Sequence, residues 1–302
     1  MISSPTAISI ITGVFHFMAI PFSLILAGAK LGLPRNAVNG QRQRRHTLPG
    51  IAGYRLLLVA FLILGATTDR SFSAETTTPR FAVLVFSKTT GFRHDSIPQG
   101  IAAITELGAE HGFAVDSTED AARFTEAILG RYKVVVFLNT TGDVLAPAEK
   151  SAFERYIGSG GGFVGIHSAS DTEYQWPWYG RLVGAYFASH PQIQRATVHI
   201  LNPDHPSTKH LPQSWERTDE WYNFRSNPRE VVRILATLDE ATYSGGAMGA
   251  DHPIVWCQTI AGGRSWYTAM GHTKESYAEP LFRLLLLGGI ESAAGVSRGC
   301  EG

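Results

Sequence analysis

The chain has 302 residues, with 26 basic and 26 acidic side chains and therefore no formal net charge. That balance leaves no basic footprint for nucleic acid and no acidic excess of the kind seen in solvating tails. With 44% hydrophobic and 17% charged residues, the composition suits a packed core in one large domain or two small ones. The two cysteines, Cys257 in the apolar run PIVWCQTI and Cys300 in the tail, form no Cys-x-x-Cys pair. They read as one buried inert thiol and one tail thiol, not as a disulfide scaffold.

Residues 1–78 lie apart from the globular pattern. Residues 8–29 form an apolar run of 22 without Asp, Glu, Lys or Arg, long enough to span a bilayer. Lys30, Arg35, Arg42, Arg44 and Arg45 follow, then a shorter apolar run from Leu56 to Ala66, then the small residues Ser71, Ser73 and Ala74. Basic, apolar and small-residue segments in that order read as a secretory signal peptide cleaved near Ser73 or Ala74. Its internal position fits translation starting near Val38. The alternative is a true N-terminal span with a cytoplasmic basic loop, which would attach the protein to a membrane through residues 8–29. Arg44-Arg45 is a weak twin-arginine signal, because Thr47 stands where a large apolar residue is usual. Either reading expects an exported domain, periplasmic or secreted.

From residue 79 to 292 a single α/β domain is expected, with 293–302 as a tail. RFAVLVF (80–86) reads as a buried strand. Ile97 to Gly112 has helical spacing at Ile101, Ile104, Leu107 and Ala109, with Gly112 as a stop. A short strand at 113–115 and a helix at 121–129 follow. YKVVVFLNT (132–140) is the strongest strand in the chain. A helix opens at Pro147, a favourable first-turn residue, and FVGIH (163–167) is the next strand. This rhythm implies right-handed crossovers and a mostly parallel, three-layer sheet. After Asp171 the pattern loosens into a mixed segment, with strand candidates at 195–201, 231–238, 252–260 and 264–271. Tyr277 to Leu287 reads as a closing helix.

Ligands in open α/β sheets bind beyond the carboxyl ends of the strands. The polar residues after the first strand include Thr90 and His94. Asn139 follows the third, His167 and Asp171 follow the fourth, and His272 follows the strand at 264–271. Four distant loops thus deliver three imidazoles and a carboxylate to one edge. GGGFVG (160–165) has the G-x-G-x-x-G spacing but follows a helix and runs into a strand, the reverse of a dinucleotide fingerprint. It reads as a helix stop and tight turn. His190 and His252 each precede proline and read as structural.

The runs FSKTTGFRHDSI, FLNTTGDVL, YIGSGGGFVGIHSASDT, QWPWY, FASHP, DEWYNF (219–224) and HPIVWCQTIAGGRSWYTAMGH (252–272) resemble the ThuA-like (trehalose-utilisation) family over nearly all of 80–290. That resemblance implies a flavodoxin-like fold similar to the class I glutamine amidotransferases. Those enzymes carry a cysteine in a Gly-x-Cys elbow, where this chain has Gly165-Ile166-His167. Without the thiol no thioester can form, so glutamine hydrolysis by that route is excluded. His272 is similar to the histidine of the amidotransferase His-Pro-Glu stretch, but Thr273 and Lys274 replace the other two residues.

The resemblance implies carbohydrate metabolism on sugars or keto-glycosides by elimination, hydrolysis or isomerisation. His167 is the expected base, oriented by Asp171 one helical turn on, with Gly165 supplying the backbone freedom at the elbow. His94 or His272 is expected to polarise a carbonyl or protonate a leaving oxygen. Thr90, Asn139, Trp178, Tyr179 and Glu220 are candidate substrate contacts, Trp178 and Tyr179 as a stacking platform or else an apolar plug. A divalent metal such as zinc on His94, His167 and His272 is an open alternative, although no His-Glu-x-x-His spacing is present. The competing class is a non-catalytic carbohydrate-binding domain. A sugar is the expected partner, and homo-oligomer formation is compatible with the sequence. The order of segments in 42–74 predicts a mature chain beginning near Ala74 or Glu75. N-terminal sequencing of the native protein checks it, and retention of residues 8–29 would favour the anchored form.

Overall fold

The structure is a computed structural model and describes residues 78–300. The signal-peptide and membrane-span readings fall on residues outside that range. Among the described residues no helix is long and apolar enough to cross a membrane.

The first half alternates strand and helix. Strands β1 (Ala82–Phe86), β2 (Ala114–Thr118), β3 (Val134–Leu138) and β4 (Gly162–Ile166) are connected through helices α1 (Ile97–His111), α2 (Glu126–Leu129) and α3 (Pro147–Gly158). β3 is VVVFL with every residue buried, as a strand covered on both faces requires. α1 and α3 each carry proline in the first turn, and α1 stops at Gly112, whose φ of 75° lies in the left-handed region. The expected helix at 121–129 is broken: a single turn of 3-10 helix at Ala121–Arg123 precedes α2.

A short helix α4 (Pro177–Val183) leads into β5 (Phe187–Ser189), β6 (Gln194–Ile200), β7 (Ser214–Asp219), β8 (Asn223–Phe224), β9 (Arg233–Asp239), β10 (Pro253–Ile260) and β11 (Gly263–Thr268). Helix α5 (Pro280–Ala293) closes the domain. The main sheet runs β2-β1-β3-β4-β11-β10-β9-β6-β7, and β5 pairs with β8 separately. β2, β1, β3, β4 and β11 are parallel, whereas β10, β9, β6 and β7 continue the sheet antiparallel. The looser segment after residue 171 is therefore an extension of the same sheet.

That extension curls. In a flat sheet β7 would lie about 19 Å from β11, four spacings of about 4.8 Å. Yet the Asp219 carboxylate at the end of β7 accepts a hydrogen bond from the Gly271 amide just after β11, at 2.8 Å. Register shifts where β10 meets β9, around Pro253–Trp256, mark a bend of the kind that β-bulges introduce.

The free-thiol reading of the cysteines is overturned. Cys257, buried in β10, is disulfide-bonded to Cys300, with Cα atoms 5.8 Å apart, inside the range a disulfide needs. Spacing gave no hint of it, because the bond joins residues 43 apart through the folding back of the tail. The cross-link should stabilise the fold by about 2–4 kcal/mol. Urea unfolding of Cys300→Ser, or of the reduced wild type, is expected to show that loss. An unchanged midpoint would mean the thiols are free.

Candidate active site

The carboxyl ends of β1, β3, β4 and β11 share one edge, and β7, curled over, ends there too. Each strand hands over to a loop carrying one or more of the site residues. His94 follows β1, Asn139 follows β3, His167 follows β4, Glu220 follows β7 and His272 follows β11.

His167 occupies the elbow itself. Its φ is 51°, a left-handed conformation that a non-glycine residue adopts at a cost of order 1 kcal/mol or more. Gly165 does not provide that freedom, contrary to the expectation from sequence; its missing side chain instead makes room for Tyr267, which a Cβ would approach to 2.9 Å. The Tyr267 hydroxyl donates to the His167 carbonyl at 2.8 Å and helps hold the strained turn. The His167 ring is fully buried, with Nδ1 2.7 Å from the Ala269 carbonyl. That carbonyl can only accept, so Nδ1 carries the proton and Nε2 presents its lone pair to the site.

Four side chains converge there. His167 Nε2 lies 3.1 Å from His272 Nδ1 and 3.4 Å from Glu220 Oε2. His272 Nδ1 lies 3.1 Å from the same Glu220 oxygen. The His94 ring stands edge-on to both, its centroid 4.9 Å from His167 and 5.0 Å from His272. The other Glu220 oxygen meets His190 Nδ1 at 3.0 Å.

The electrostatics follow from this packing. Burial, with repulsion from His167 and His272, holds the His94 pKa down to about 2, so that ring is neutral. Burial opposes charge on Glu220, but the neighbouring His167 and His272 rings outweigh it and hold the carboxyl well below the usual range. Burial likewise opposes charge on His272, and Glu220 reverses the balance and raises it. Asp171 shifts the other way, its pKa raised by burial despite a hydrogen bond from Tyr174.

A cleft of about 190 Å³ opens onto the cluster, lined by Phe92, His94, Asp171, Phe187, His190, Glu220, Tyr222 and His272. Several expected roles change here. Asp171 does not orient His167; its carboxylate accepts from Tyr174, while the His167 ring is held by Ala269. Trp178 and Tyr179 lie outside this cleft. Tyr179 is fully buried with its hydroxyl on the Ala169 carbonyl at 2.7 Å, and Trp178 stacks on Trp176 and meets Phe153 edge-on. Asn139 is buried and donates to Ser96 Oγ and the Gly271 carbonyl, joining three loops. Thr90 is bonded to the Thr141 and Asp143 carbonyls, which pins the loop after β1 to the loop after β3. Both position the site without lining the cleft.

Sequence reasoning missed Asp219, His190 and the aromatic wall of Phe92, Phe187 and Tyr222. Asp219 is fully buried. One oxygen accepts from the Glu220 and His272 amides at 2.9 and 3.1 Å. The other accepts from the Gly271 amide and Ser276 Oγ, and meets Arg217 at 3.2 Å. Gly271 sits between β11 and His272 at φ 113°, which side chains rarely adopt, so the glycine is required for that turn.

The family model described as trehalose utilisation, ThuA, matches residues 82–293. The chain belongs to the ThuA family. Membership ties it to a carbohydrate-related role. No curated relative matches the sequence. Among solved structures it is similar to a ThuA-like protein from Bacteroides uniformis, 28% identical with a TM-score of 0.62, over 72% of this chain and 93% of that one. A ThuA-like protein from Parabacteroides merdae is 22% identical with a TM-score of 0.62, over 72% and 91%. A cytoplasmic protein from Salmonella typhimurium shares the fold at 12% identity and a TM-score of 0.51, over 70% and 99%.

In this ThuA-family site Asp219 holds the backbone of two cluster residues, and any orientation of an asparagine amide there would aim N–H at N–H. Asp219→Asn should therefore cost about 3–5 kcal/mol of unfolding free energy, the range for breaking a buried ion pair. Glu220→Gln should cost markedly less. Urea denaturation of the two variants checks the order.

Proposed function

We propose that this chain is a carbohydrate enzyme that moves a proton beside the carbonyl of a keto-sugar or keto-glycoside, leading to elimination, hydrolysis or isomerisation. The observation that carries the reading is the convergence of His94, His167, His272 and Glu220 on a cleft that Asp171 also lines. Abstraction of a proton next to a carbonyl needs a base and an electrophilic group at the oxygen.

In this reading the roles fall differently from those expected from the sequence. His167 is a poor base for a substrate: its ring is fully buried and its free nitrogen faces His272 and Glu220. Asp171 suits proton transfer better. It lines the cleft, stands outside the cluster, and burial moves its pKa toward neutrality. His94 and His272, with Glu220 between His272 and His190, face the carbonyl oxygen and stabilise the charge that develops there. His167 positions His272 and Glu220. Phe92, 67% exposed, with Phe187 and Tyr222 offers the apolar faces on which a sugar ring stacks.

The test is turnover of a panel of keto-glycosides, followed by release of the free sugar. Asp171→Asn is expected to lower kcat about 10²–10⁴-fold, the usual contribution of a general base, with KM within a few-fold. Phe92→Ala should raise KM with little change in kcat. Binding of the panel without any turnover would support the non-catalytic carbohydrate-binding alternative.

A further inference from the structure

We propose that His94, His167, His272 and Glu220 form a binding site for one divalent transition-metal ion, of which zinc is the best match. One donor atom from each of the four lies within 4.8 Å of the others. Three of the separations are the informative ones. Zinc binds imidazole nitrogen and carboxylate oxygen at about 2.0–2.1 Å, so two ligand atoms of a tetrahedral site stand about 3.3–3.4 Å apart. His167 Nε2, His272 Nδ1 and Glu220 Oε2 are separated by 3.1, 3.1 and 3.4 Å. They form one face of a tetrahedron of that size, with His94 alongside.

The hydrogen-bond inventory supports the same conclusion. His167 Nδ1 gives its proton to Ala269, so Nε2 is a bare lone pair. It faces His272 Nδ1 and Glu220 Oε2, and that oxygen is itself an acceptor. A single proton on His272 Nδ1 serves one of those two neighbours and leaves the other facing a lone pair. A cation at the centre satisfies all three. The competing arrangement is an imidazolium at His167, in which two buried rings share one carboxylate oxygen.

For His167, His94 and Glu220 the remaining atom is held by an outer partner, as expected around a metal. Ala269 holds His167 Nδ1, Ser168 Oγ stands 3.4 Å from His94 Nδ1, and His190 holds the outer oxygen of Glu220. Asp219 fixes the backbone of Glu220 and His272. His94, Glu220 and His272 also line the cleft, so the ion would border it. A nitrogen-rich set with one oxygen suits zinc but also cobalt, nickel and iron.

The other clustering of metal-binding side chains, His205 with Cys257 and Cys300, differs in kind. The Ser207 amide donates to His205 Nδ1, so the proton sits on Nε2, which faces Cys257 Sγ at 3.6 Å. A ring protonated on that side donates a hydrogen bond and binds no metal, in keeping with the disulfide.

The ion site stands on geometry alone; its role as the group that polarises a carbonyl rests on the function proposed above. The test uses the full chain, stripped with a chelator and dialysed, then titrated calorimetrically with Zn²⁺. One ion per chain is expected, with a rise in melting temperature, and Co²⁺ should give the intense visible absorption of a tetrahedral site. Glu220→Gln and His272→Ala, checked for native circular dichroism, should weaken Zn²⁺ binding at least 100-fold. Asp171→Asn and Cys300→Ser should bind as the wild type does. No binding at micromolar Zn²⁺, or binding unchanged in a Glu220→Gln/His272→Ala double variant, would overturn the site. Keto-glycoside turnover that persists in stripped protein would overturn the ion's catalytic role while leaving the sugar reading intact. One bound ion with no turnover of the panel would overturn the keto-sugar reaction, and the ion's catalytic role with it, while leaving the ion site intact.

Discussion

The site depends on one buried carboxylate. Asp219 accepts hydrogen bonds from three backbone amides and a serine hydroxyl, and pairs with a guanidinium. A buried charge is tolerated only when its lone pairs are filled, and here they are. Arg217 is also fully buried, between the rings of Trp215 and Phe282 at 4.9 and 4.6 Å. Its flat cation is satisfied partly by those faces, as cation–π contact allows. Together the pair ties the far end of the curled sheet to the loop after β11. Without that tie Glu220 would have no fixed relation to His272.

The second constraint is conformational. Asn139 and His167, each immediately after a central parallel strand, both have left-handed backbones. Each is held by contacts a surface turn would lack: Asn139 through Ser96 and Gly271, His167 through Tyr267 and Ala269. Strain of this kind persists only where the surroundings over-determine it. Here it turns a side chain back over the sheet edge, and four loops are locked to one another as a result.

The sequence made the parallel half legible because its strands are plain apolar runs and its helices have proline starts. The edge rule then placed His94, His167 and His272 together. It failed where burial and polarity part company. β7 reads SWERTD, and its inward residues are Trp215, Arg217 and Asp219, so the alternation that marks a half-buried strand carries charges on the wrong face. The missed strand and the missed anchor are the same segment. Trp178 and Tyr179 misled in the opposite sense, since proximity to His167 in sequence does not decide which side of the sheet a helix covers. His190 reads as a turn residue before proline, and nothing local reveals that a curled strand brings Glu220 against it.

The pairing of β4 with β11 has a consequence for how the chain reaches this state. Val164 lies opposite Trp266, so the central parallel pairing closes a loop of about a hundred residues that contains the whole antiparallel extension. Contacts so remote in sequence are late and slow to form, because the closure entropy must be met before they contribute. The half made first, β1 to β4, exposes one long side of β4 until residues beyond 263 are available to cover it. That apolar edge is an invitation to pair with another chain while synthesis continues. Aggregation during expression should thus be governed less by the stability of the finished protein than by the waiting time of β4.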